Sequence, residues 1–121
     1  MKVNDFYSIL ETEMEDSQNI NISVTKAKGI ITLFWSTTFI KHSYTEWFNK
    51  HFDEINWANQ KIVQIGKKYP NLYHSHTIVT QRDVEHFDHL LETEKPTPVK
   101  RSWQTDSLSF GGAVRFNYPK E

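Results

Sequence analysis

Residues 73 to 91, YHSHTIVTQRDVEHFDHLL, hold four of the chain's six histidines together with two aspartates, a glutamate and an arginine. Histidine is the side chain whose ordinary pKa lies nearest neutrality, so this density suggests acid–base work or metal ligation. The stretch around His74 and His76 reads as a strand, which would set both imidazoles on one face about 7 Å apart. That spacing suits a His-x-His chelate of zinc, iron or copper, and it also suits a general base and a general acid. With Arg101 or Arg115 holding a phosphate, His74 and His76 would make a small metal-independent ribonuclease. With a metal, they would centre a His-ligated metalloenzyme.

His86 and His89 form a second pair on a helical pattern. With Val84 at 0°, Phe87 and Leu91 fall at about 300° and 340° and mark the packing face, while His89 and His86 fall at about 140° and 200°. The second pair therefore faces water beside Arg82 and Glu85, and a joint four-histidine centre is not expected. His74 and His76 share their expected face with the apolar Leu72 and Ile78, where a histidine satisfied by hydrogen bonds is commoner than a catalytic one. No metal and no cofactor is assigned.

Other chemistry is excluded more simply. The absence of cysteine removes disulfides, thiolate nucleophiles and Cys-ligated metals. Neither glycine-rich phosphate loop, no G-x-S-x-G elbow and no H-E-x-x-H helix is present. A formal charge of −1 with pI near 6.6 lacks the basic footprint of a nucleic-acid binder. The chain opens at Met1 without a charged and apolar leader, and no apolar run approaches a membrane span, so it reads as a complete, cytoplasmic protein.

The elements that would position these residues follow from periodicity. Val3, Phe6, Tyr7, Leu10 and Met14 repeat at helical spacing, and that helix ends in Glu11, Glu13, Glu15 and Asp16. Acids there oppose the negative end of the helix dipole, each costing about 0.3 kcal/mol, and suit attraction of a basic partner. Ile20, Ile22 and Val24 alternate as in a strand covered on one face, KAKG supplies a turn, and residues 30 to 40 read as a central strand. Ser43 and Glu46 open a capping box for a helix over 44 to 69, about 39 Å if unbroken. Trp57 falls roughly opposite the middle of its apolar stripe, where a large ring is either buried by a neighbouring loop or exposed as an interface anchor. Thr80 and Asp83 cap the helix bearing His86 and His89. The proline-containing KPTP reads as an exposed connector, and the C-terminal segment as two or three short strands turning at Gly111-Gly112.

The 121 residues thus form one α+β domain of order α-β-β-α-β-α-β-β, with a mixed or mostly antiparallel sheet of four or five strands and the 44 to 69 helix packed across it. The expected function is a small protein-binding inhibitor of the immunity-protein or antitoxin type. It would dock on a basic protein such as a nuclease toxin through Trp57, Glu11, Glu13, Glu15 and Asp16, without contacting nucleic acid or membrane.

Overall fold

The computed structural model describes residues 1–16, 19–40, 43–93 and 107–120, with side chains at all of these except 38–40, 90–93 and 107–109. The described elements are α1 (Val3–Glu13), β1 (Asn21–Ala27), β2 (Ile30–Ile40), α2 (Tyr44–Lys50), α3 (Phe52–Lys68), β3 (Tyr73–Thr77), α4 (Gln81–Thr93) and β4 (Ser107–Asn117). Every described strand pairing is antiparallel, in the order β1-β2-β4-β3. Lys28 and Gly29, both at positive φ, join β1 to β2 in the kind of two-residue turn whose twist matches its strands.

Alternation along the strands decides which face is covered. Val24, Ile31, Leu33, Trp35, Val114 and Phe116 point inward and are buried against the helices. Helix α1 contributes Phe6, Leu10 and Met14 to this layer, and α3 contributes Ile55, Ala58, Ile62 and Ile65. Phe6 meets Tyr69 and Phe116 edge-on, with ring centroids 5.1 and 5.2 Å away. The Thr80–Asp83 cap forms with reciprocal bonds, and of the Ser43–Glu46 box the forward bond is present, Ser43 Oγ accepting from Glu46 N at 3.3 Å.

The α+β architecture with four antiparallel strands is the one expected, and two details change. The helix expected over 44 to 69 is interrupted at His51, whose φ of −111° and ψ of 19° end α2 and begin α3. Gly111-Gly112 is not a turn, because β4 pairs with β2 without interruption from Ser107 to Asn117. A Cβ on Gly111 would stand 2.0 Å from the Trp35 carbonyl oxygen, so glycine is what admits this close strand approach. The KPTP connector and Arg101 lie outside the described residues.

Candidate functional site

Strand β3 does not present His74 and His76 as a pair. The register on β4 slips between Tyr73 and Ser75, making His74 the extra residue of a bulge. Tyr73 then opposes Phe116 and His76 opposes Val114, both core residues, so Tyr73 and His76 share the helix side. With the imidazole proton on Nε2, the Tyr73 hydroxyl donates to Nδ1 of His76. His74 is exposed, its Nδ1 3.0 Å from Ser75 Oγ. Gly66 on α3 leaves room for the Tyr73 ring, which lies 3.1 Å from where a Cβ would sit. Between α3 and β3 the result is a groove of about 330 Å³, lined by Val63, Gly66, Lys67, Pro70, Tyr73 and His76.

Arg115 does not join that histidine. It opposes Ser75 and Thr32 on the sheet face turned away from the described helices, where its Nη1 donates to Thr77 Oγ1 at 3.2 Å. An imidazole on one side of the sheet and the guanidinium on the other do not converge on one phosphate. His86 and His89 are exposed on α4, as their helical angles require. Among the described residues, no group of three or more His, Asp or Glu side chains is placed to hold a metal ion.

Lys68 of α3 forms an ion pair with Glu13 of α1, which lifts the lysine pKa through that hydrogen bond and the carboxylate charge. Further along the chain, the Asn19 side-chain amide donates to Glu54 at 3.3 Å. Lys68 and Glu54 share one flank of α3, about 21 Å apart along the helix, and are met there by Glu13 of α1 and by Asn19. Trp57 and Lys61 lie on that flank, with Lys61 Nζ 5.9 Å from the centre of the indole ring. Trp57 is half-buried against the margin of the core rather than standing free opposite the stripe, because a helix flank still meets its neighbours. Glu11, Glu15 and Asp16 are exposed, whereas Glu13 is engaged by Lys68.

Sequence reasoning missed Tyr73, Asp88 and Phe34. Tyr73 acquires its histidine through a bulge that no local pattern marks. Asp88 on α4 accepts hydrogen bonds from Ser43 Oγ and from the backbone amides of Tyr44 and Thr45, so it caps α2 from another element. Phe34 lies on the sheet face turned away from the described helices, in the strand read as central. Comparison with known proteins finds no protein-family model that matches the chain, and no similar curated protein or solved structure. Among the described residues, no helix is long and apolar enough to cross a membrane.

Proposed function

We propose that this chain is a protein-binding inhibitor of the immunity or antitoxin type, which docks a basic partner on the α3 flank that carries Trp57. The observation supporting this reading is that a half-buried aromatic ring and the lysine that pairs with Glu13 of α1 lie on one flank of α3. A ring already fixed at the core margin loses little side-chain entropy on binding, which suits an anchor. Exposed Glu11, Glu15 and Asp16 add a negative field at the end of α1, which speeds encounter with a basic surface. Glu13 contributes less because Lys68 neutralises it.

The test begins with affinity capture from the producing cells, followed by purification of the captured protein and kinetic binding measurements at several salt concentrations. Charge reversal at Glu11, Glu15 and Asp16 is expected to slow association about tenfold at low salt and flatten its salt dependence. Trp57→Ala is expected to raise the dissociation rate about tenfold while leaving association nearly intact. A captured protein whose kinetics are unchanged in both variants would remove this face from the interaction.

A further inference from the structure

The strand registers lay out, row by row, the sheet face left uncovered among the described residues. Thr25, Thr32, Arg115 and Ser75 lie side by side across β1, β2, β4 and β3. In the next row, Phe34 and Ala113 lie between Ser23 and Thr77. Arg115 is the only charged side chain in these two rows, in a chain of which 24% is charged. It is half-buried, flanked by hydroxyls, and the ion pairs among the described residues, His51–Glu54 and Lys68–Glu13, do not include it. Thr32, Phe34, Ser36, Thr77 and Ala113 line a depression of about 390 Å³ with it.

Among the described residues no carboxylate pairs with the Arg115 guanidinium, which leaves its fork open to an anion. Its fork matches a carboxylate in two parallel hydrogen bonds, and the hydroxyls of Thr32 and Thr77 can donate to the same oxygens. Phe34 is diagonal to Arg115 across the β2–β4 pairing, about 7 Å away, and with Ala113 offers an apolar shelf for a flat ring. A second copy stacked face to face about a twofold axis would bring Arg115 towards its own counterpart, so like charges oppose self-association here.

We infer that the uncovered face of the sheet binds a small aromatic carboxylate, with its anion on Arg115 and its ring on Phe34 and Ala113. This site is separate from the Trp57 flank and stands independently of the proposed partner. The test is calorimetric and NMR titration of the whole protein with 2-naphthoate, with 2-naphthalenemethanol supplying the ring without charge and acetate the charge without ring. Naphthoate is expected to saturate with a Kd of about 1 mM or lower and to shift the amides of Thr32, Thr77 and Ala113. Neither control should saturate in that range. Arg115→Gln and Phe34→Ala, each checked for a folded spectrum, are expected to weaken naphthoate about tenfold. If Arg115→Gln does not fold, Arg115→Lys keeps the charge, loses the fork and is expected to weaken binding at least about threefold. No saturation, undiminished affinity in the folded Arg115 variant, or shifts confined to the Val63–His76 groove would overturn the assignment.

Discussion

The Asp88 carboxylate accepts from Thr45 N at 2.8 Å and from Ser43 Oγ at 3.2 Å, and it also accepts from Tyr44 N. Desolvation by itself would raise its pKa, but the bonds donated by Thr45, Tyr44 and Ser43 outweigh it and hold the group below the usual aspartate value. Burial, followed by the charge of Asp88, pushes the Tyr44 phenol up. Because the folded pKa of Asp88 lies below the unfolded one, its stabilisation is fully present above the unfolded value of about 3.9. It is lost as the pH falls through the lower folded value. Asp88→Asn is therefore expected to cost about 1 kcal/mol at neutral pH, and that difference should shrink as the pH drops below about 4. Urea melts of both proteins across this range check it; a difference independent of pH would assign Asp88 a purely steric role. Ser43 was legible as a cap because Glu46 follows it at the right spacing. Asp88 was not, since only tertiary packing of α4 on α2 brings it there.

Helices α1 and α3 were readable from the spacing of Phe6, Leu10 and Met14 and of Ile55, Ala58, Ile62 and Ile65, which are the residues the core buries. The break at His51 was hidden because Tyr44, Phe48 and Ile55 stay in phase across it, and no proline or glycine marks the place. Its cause is tertiary. Tyr44 on α2 packs against Phe87 of α4, while α3 packs on the sheet and leaves Phe52 half exposed. The glycine pair misled for a related reason, since two glycines in sequence can serve a turn or a close strand contact. Gly111→Ala is expected to force β2 and β4 apart, because its methyl would meet the Trp35 backbone, and to cost about 3 kcal/mol or more. Gly29→Ala, with nothing within 4 Å but a φ of 77°, should cost only about 1 kcal/mol of backbone strain. Thermal melts of the two variants distinguish strand crowding from turn geometry; equal losses would contradict the close approach at Gly111.

At the scale of the whole molecule, two aromatic clusters hold the helical layer to the sheet, and they lie at opposite ends of β4. Phe6, Tyr69 and Tyr73 gather around Phe116, with centroids 5.2, 6.3 and 6.4 Å from it. Tyr44, Phe87 and Trp47 gather around Phe110, at 5.1, 5.3 and 6.5 Å. Six residues of strand separate the two centres by about 20 Å, so each ring deletion acts first on its own helices. The Phe116 cluster joins α1, the residues just after α3, and β3, whereas the Phe110 cluster joins α2 and α4. Phe110→Ala is expected to cost about 3 kcal/mol and to speed amide hydrogen exchange in α2 and α4 well before α1 and α3. Phe6→Ala should instead loosen α1 and α3 together, since its ring lies between Tyr69 and Phe116. The partner binding proposed for Trp57, on the flank of α3 that also carries Lys68, should then survive Phe110→Ala at temperatures where the rest of the fold persists. Uniform acceleration of exchange in Phe110→Ala would mean that the two ends open as one unit, and partner binding would be lost along with α2 and α4.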